Sequence, residues 1–324
     1  CGEAVADGCG NACGGTGIAL NSVQCLGKVS TTPCNEEVLD GCDNACGLTG
    51  SALDLGSCPT PELVPCGGVI SDACGNLCQG AGTYCDDGYT CEAGGCQGQG
   101  STAELAGVDC ASILASGTAD GDGRYWIDPD AGGAGQPFEA WCDMTHDGGG
   151  WTLVMRMAGN NVLAYGSDWW TNGDAFDDDP SQFAPSTEAN AKFATYMTVS
   201  GDELRGCKGV HEACLTMGMD GTMTARTRMQ GGGVSGSFSR SDFTDIFGDD
   251  PSQPHCNQNG LNQNWTYAGY RFGHVGNNEG DCSSCDSAFG WGIYGQSNTG
   301  SGCGAGLAGS GVSNQCVHGT LWVR

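Results

Sequence analysis

The 324-residue chain carries 38 acidic against 11 basic residues, a net charge of −27, together with 23 cysteines. That charge excludes phosphate-tracking nucleic-acid binding, which needs clustered Lys and Arg, and no apolar run reaches the ~18 residues of a membrane-spanning helix. Thiols at this density point to an oxidising compartment and structural bridges; zinc, the competing explanation, favours C-x2-C knuckles, and only Cys282–Cys285 has that spacing.

The front of the chain repeats. Cys1, Cys9, Cys13 and Cys25 are separated by 8, 4 and 12 positions, Cys34, Cys42, Cys46 and Cys58 reproduce those separations, and Cys66, Cys74 and Cys78 begin a third copy. Asp7, Asp40 and Asp72 keep register, as do Asn11, Asn44 and Asn76, and Gly17, Gly50 and Gly82. The third copy ends differently, adding Cys85, Cys91 and Cys96, as a terminal repeat that caps an array does. The copies are residues 1–33, 34–65 and 66–97. Each holds an even number of cysteines, which permits bridges internal to each copy, although connectivity is not readable from spacing.

Residues 1–97 contain neither Phe nor Trp. Without an apolar core, bridges worth roughly 2–4 kcal/mol each have to offset the ordering entropy. The register glycines are expected at turns of positive φ, and a helical turn is expected between cysteines four apart. Residues 98–107 are small, polar and Gly-rich and read as a linker. Beyond them lie all eight Trp and all nine Phe, enough for a true core.

Three stretches open this second region: Cys110-Ala-Ser-Ile-Leu-Ala with Gly123-Arg-Tyr-Trp-Ile-Asp-Pro-Asp130; Phe138-Glu-Ala-Trp-Cys-Asp-Met-Thr145; and Asp147-Gly-Gly-Gly-Trp-Thr-Leu-Val154. Tyr125–Asp128 and Phe138–Trp141 read as strands of a hairpin around a Gly-rich turn. Gly148–Gly150 turns the backbone before another strand; it lacks the Lys and Ser/Thr of a phosphate loop.

Together these residues resemble the opening of a fibrinogen-related domain, closest to the intelectin-like and bacterial forms, and the resemblance covers roughly residues 108–324. It implies a mixed α+β fold, long functional loops, Ca²⁺ and recognition of exposed glycan or acetylated groups. The expected fold class is therefore α+β: a fibrinogen-like C-terminal domain behind small, disulfide-stapled, core-poor repeats. Cys110–Cys142 and Cys207–Cys214 are plausible bridges.

In intelectin-like lectins an Asn-Asn-Glu segment serves the calcium and sugar site. Here Gly276-Asn-Asn-Glu-Gly-Asp281 follows a strand-like run in the matching order. Asn278 and Glu279, joined by Asp281 and Asp286, are the expected metal ligands, since amide and carboxylate oxygens suit Ca²⁺. Asn277, Trp291 and Tyr294 are the expected ligand-binding residues. The longer loop that supplies a histidine in intelectins is missing, and His318 is the candidate in its place.

No HExxH, GxSxG or Walker stretch is present, and no enzyme is expected. Two functions follow. The first is a secreted or cell-surface, calcium-dependent recognition or adhesion protein whose head binds carbohydrate or another surface ligand. The second is a self-associating structural subunit of an extracellular fibre or appendage. Nine cysteines in the C-terminal region leave one over, for a free thiol or a bridge between subunits.

Overall fold

A computed structural model describes residues 26–39, 45–248, 253–296, 302–309 and 313–324. Cys1, Cys9, Cys13, Cys25 and Cys42 lie outside the described residues. The chain divides into two compact units, Cys1–Gln97 and Gly98–Arg324.

The described part of the first unit is built from short hairpins: β1 (Glu37–Leu39) with β2 (Ala45–Thr49), β3 (Val69–Ser71) with β4 (Leu77–Ala81), and β5 (Tyr89–Glu92) with β6 (Gly95–Gly98). Val38 and Ile70 are buried, but Leu55, Leu63 and Leu77 are each at least 70% exposed. Sulfur holds it instead. Cys34 bonds Cys74, Cys58 bonds Cys78, Cys66 bonds Cys91 and Cys85 bonds Cys96; Cys46 is also disulfide-bonded. The first two bridges cross from the second copy to the third, so the copies are not closed internally as the even counts allowed. Only the last two bridges lie within one copy, the terminal one.

The register residues do the same joining in polar terms. The Asp72 carboxylate accepts from the backbone N–H of Asp54, Cys74 and Asn76 and from the Asn76 side chain, which also donates to the Ser51 carbonyl. Asp54 and Ser51 belong to the preceding copy. This Asp-centred turn sends the chain straight into β4, so Cys74 and Cys78 are not joined by the helical turn expected.

Gly17 lies outside the described residues; Gly50 and Gly82 have another cause than positive φ. A Cβ on Gly50 would sit 2.3 Å from the Pro33 and Thr32 carbonyl oxygens, and one on Gly82 would sit 2.3 Å from that of Pro65. Close backbone approach, not left-handed geometry, demands glycine there.

The second unit is α+β. One antiparallel sheet runs β12 (Ala213–Gly218), β11 (Glu203–Lys208), β19 (Gly319–Val323), β9 (Trp151–Met157), β8 (Phe138–Asp143), β7 (Gly123–Ile127), with β10 (Ala191–Lys192) also on β9. The other runs β13 (Val234–Ser235), β14 (His255–Asn264), β15 (Gly269–Asn277), β16 (Ser287–Tyr294), β17 (Cys303–Ala308), β18 (Gln315–Cys316). Helices α1 (Cys110–Ala115), α2 (Thr195–Thr198), α3 (Ala225–Gln230) and α4 (Arg240–Phe247) complete it. Its main core brings Trp170, Phe243, Phe272, Phe289 and Trp291 together with Leu204 and Leu321 of the first sheet.

Residues 98–107 are not a free linker. The Trp126 N–H donates to the Gly100 carbonyl, the Gly107 N–H donates to the Trp126 carbonyl, and a Cβ on Gly107 would meet Ile113 at 2.4 Å. The glycines let this strip lie flat on the domain. Ahead of α1, Asp109 accepts from the Ser112 N–H while Ser112 caps back onto the Asp109 N–H, a reciprocal capping box. Gly148, Gly149 and Gly150 all take positive φ, and a Cβ on Gly149 would sit 2.2 Å from the Met144 carbonyl.

Candidate functional site

The β15–β16 hairpin carries the segment singled out from sequence. Gly276 pairs with Ser287 across it, and the Asp286 N–H donates to the Gly276 carbonyl. Asn277, the last residue of β15, is fully buried, and its amide nitrogen donates to the Asp281 carbonyl and towards the Ser284 hydroxyl. The disulfide Cys256–Cys282 ties the loop to β14.

Beneath this loop lie oxygens without donors. Asn277 Oδ1, Asp286 Oδ1, Ser287 Oγ and Gln253 Oε1 are all buried and unpaired. Of these, Ser287 is placed beside Gly276: its hydroxyl and the Gln253 backbone carbonyl flank the Gly276 Cα, where a Cβ would meet them at 3.0 and 2.9 Å. Burial pushes the Asp286 carboxyl above its usual range, an effect that the Gln253 side chain partly offsets and the Glu279 charge reinforces. Buried polar atoms normally find partners, and hard oxygens left unpaired fit a hard cation. The donor set therefore suits Ca²⁺.

The sequence-predicted residues divide. Asn277 and Asp286 flank the Gly276–Ser287 pair at the end of the hairpin. Asn278 and Glu279 are exposed on the loop above it. Asp281 is exposed and already engaged, its carboxylate accepting from the Ser283 N–H and hydroxyl, which hold its pKa down.

Trp291 does not wall a pocket. It is fully buried, its indole N–H donates to the Cys207 carbonyl, and its ring packs on Phe272 at 5.0 Å. Tyr294 lies seven residues beyond Ser287 on an extended strand, about 23 Å away at ~3.3 Å per residue; its hydroxyl donates to the Trp265 carbonyl and its ring tilts against Tyr165. His318 does not replace the missing loop histidine. Its ring is half-buried, burial lowers its pKa, and the charges acting on it are Glu188, Arg156 and Glu212, none of them in the hairpin. Gln253 and Ser287 were missed because neither has a charge or a motif; the one available signal was Ser287 directly following Asp286.

A second polar cluster surrounds the Asp143 of the Trp-Cys-Asp-Met motif. Its Oδ1 accepts from the Thr145 and His146 N–H groups and lies 3.0 Å from His146 Nδ1, while Oδ2 accepts from Arg205. The rings of His146 and His211 stack at 4.1 Å. The carboxylate is fully subscribed and parallel stacked imidazoles do not aim two in-plane lone pairs at one ion, so this cluster is scaffold.

Residues 106–184 match the family described as fibrinogen beta and gamma chains, C-terminal globular domain. The match spans α1, β7, β8 and β9 with Asp143 and His146. The C-terminal unit thus holds a fibrinogen-like domain, preceded by disulfide-bonded hairpins. That pairing fits an extracellular recognition protein; among the described residues no helix is long and apolar enough to cross a membrane.

Proposed function

We propose that the fibrinogen-like unit is a calcium-dependent, non-enzymatic recognition module. Ca²⁺ sits under the β15–β16 loop, held by the oxygens of Asn277, Asp286 and Ser287, and Asn278 and Glu279 above it meet carbohydrate on a cell surface. The observation that carries this reading is that one side-chain oxygen of each of Asn277, Asp286 and Ser287 is buried without a hydrogen-bond partner. A bound cation with open positions accepts vicinal sugar hydroxyls in place of water, and an exposed loop on a rigid sheet is a suitable place for such exchange. The disulfide-joined copies in front serve as a stalk.

The test is calorimetric titration of the full chain with Ca²⁺, followed by a glycan array with and without EDTA. Binding of Ca²⁺ that is lost in Asp286→Asn, and array hits that EDTA removes, are expected. A chain that binds no Ca²⁺ sinks the metal reading; Ca²⁺ binding without calcium-dependent hits sinks the sugar reading alone.

The bridges that cross from the second copy to the third favour a second reading, a structural subunit of an extracellular fibre or appendage, because they cross-link successive copies. Negative-stain microscopy of native material decides it: dispersed monomers at high concentration count against a fibre.

A further inference from the structure

The same hairpin holds a sulfur cluster that the cation reading does not use. Cys285 is a free, buried cysteine, and its sulfur lies 2.8 Å from Cys256 Sγ, which is itself bonded to Cys282. All three sulfurs fall within 4.8 Å of one another. Two features of the backbone bring them together. Strand β14 is irregular between His255 and Gln258, and Cys256 and Asn257 both adopt positive φ, 70° and 53°. An irregularity of this kind re-aims a side chain out of the ladder, and here it turns Cys256 toward the loop. On the loop side, Cys282 and Cys285 are three residues apart, so either one reaches the same acceptor.

We propose that Cys256, Cys282 and Cys285 form a thiol–disulfide exchange centre that passes the free thiol from buried Cys285, just ahead of β16, to partly exposed Cys282 in the loop. The Cys285 sulfur attacks Cys256 Sγ through its minor thiolate form, since burial pushes the thiol pKa up to about 11. The Cys256–Cys285 bond forms as Cys256–Cys282 breaks, and the electron pair leaves on the Cys282 sulfur, which takes up the proton that Cys285 gave up. No oxidant or reductant is consumed.

The consequence is positional. Cys285 is buried, whereas Cys282 is partly exposed and flanked by exposed Asp281 and Ser283. A thiol at Cys282 meets an external disulfide R–S–S–R′, forms Cys282–S–S–R and releases R′–SH. The loop thereby gains a covalent attachment point for a disulfide-bearing partner, next to Asn278 and Glu279. A scaffold that needed only the Cys256–Cys282 staple would have no use for a third sulfur in contact with it.

The test uses the full, unreduced chain and counts thiols after denaturation without reductant. Cys282→Ser is expected to show one thiol fewer than the parent, because Cys256 and Cys285 then bond each other; one thiol more overturns the proposal. Native parent protein incubated with glutathione disulfide is expected to take up one glutathione, mapped by peptide mass to Cys282, and Cys285→Ser to lose that adduct entirely while keeping its Cys256–Cys282 bridge. An adduct on Cys285, or no adduct on the parent, overturns it as well. Run in EDTA, the result is expected to be unchanged, so its failure and that of the calcium reading are distinguishable.

Discussion

The Arg205 guanidinium donates to the Asp143 carboxylate at 2.5 Å with both side chains fully buried, and it lies 4.4 Å from the centre of the Trp151 ring and 5.2 Å from that of Trp322. The pair joins β8 to β11 across β9 and β19, so it clamps the sheet at the point where the last strand of the chain inserts. A buried charge left alone is far costlier than a buried pair removed. Arg205→Met is therefore expected to destabilise the second unit by about 3–5 kcal/mol, and Arg205→Met with Asp143→Leu to recover much of that. Urea unfolding followed by Trp fluorescence reads the second unit alone, because every Trp lies there. Equal losses in the single and double variants would show that the pair is not the clamp.

Acid acts on the same carboxylate. Burial alone would raise the Asp143 pKa, but the His146 N–H, the Arg205 guanidinium and the His146 ring outweigh it and hold the group at about 2. In the first unit Asp72 is also held at about 2, chiefly by the Asn76 side chain and the surrounding N–H groups. Both folded values lie below the ~3.9 of an unfolded Asp. Their stabilisation is thus fully present above about pH 4 and is lost as pH falls through the folded values near 2. Thermal melts between pH 5 and 2 are expected to show falling stability, with a shallower fall of the Trp signal in Asp143→Asn.

The register glycines make a prediction about assembly. Gly82→Ala places a methyl group 2.3 Å from the Pro65 carbonyl, against backbone that has no flexible end to move. Overpacking of this kind costs about 1–3 kcal/mol, and the first unit has little apolar burial to absorb it. Oxidative refolding is expected to give scrambled disulfides in Gly82→Ala and Gly50→Ala, and native peptide maps in Gly27→Ala, where nothing lies within 4 Å. Native maps in all three would mean that close approach does not set the register.

How much of this was readable from sequence follows from what each residue needs. The opening of the fibrinogen-like domain was legible because its cause is local: Gly148–Gly150 turns the chain, β7 and β8 form adjacent strands, and Cys142 sits where it reaches Cys110. The sparse apolar burial among the described residues before 98, where Val38 and Ile70 are buried and Leu55, Leu63 and Leu77 are not, was legible from missing aromatics. The bridges between copies were not, since spacing is identical whether Cys34 bonds within its copy or reaches Cys74. Trp291 was misassigned because an aromatic next to glycines looks the same in a ligand wall and in a core strand. Gly290 and Gly292 are there for closeness and backbone geometry: both have positive φ, and a Cβ on Gly292 would sit 2.5 Å from the Trp170 ring. Order along the chain placed Asn277 and Asp286 at the two sides of one hairpin end, whereas Gln253, just ahead of β14, comes beside Gly276 only through the fold.

The last prediction separates a cation nest from a mere packing defect at Ser287. Its hydroxyl is buried without a partner, and a buried unsatisfied group costs about 1–3 kcal/mol. If nothing ever binds there, Ser287→Ala removes that cost and the variant is more stable than the parent under every condition. If Ca²⁺ is the missing partner, the ordering depends on the metal. In EDTA the variant is still the more stable. With Ca²⁺ at about 100 times its dissociation constant the parent gains ~2.7 kcal/mol by mass action, and the variant, short of one ligand, gains less. Melting temperatures of parent and variant, each with Ca²⁺ and with EDTA, are expected to cross over. Parallel shifts, with the variant ahead in both buffers, would remove Ser287 from the ligand set and leave Asn277 and Asp286 to hold the ion without it.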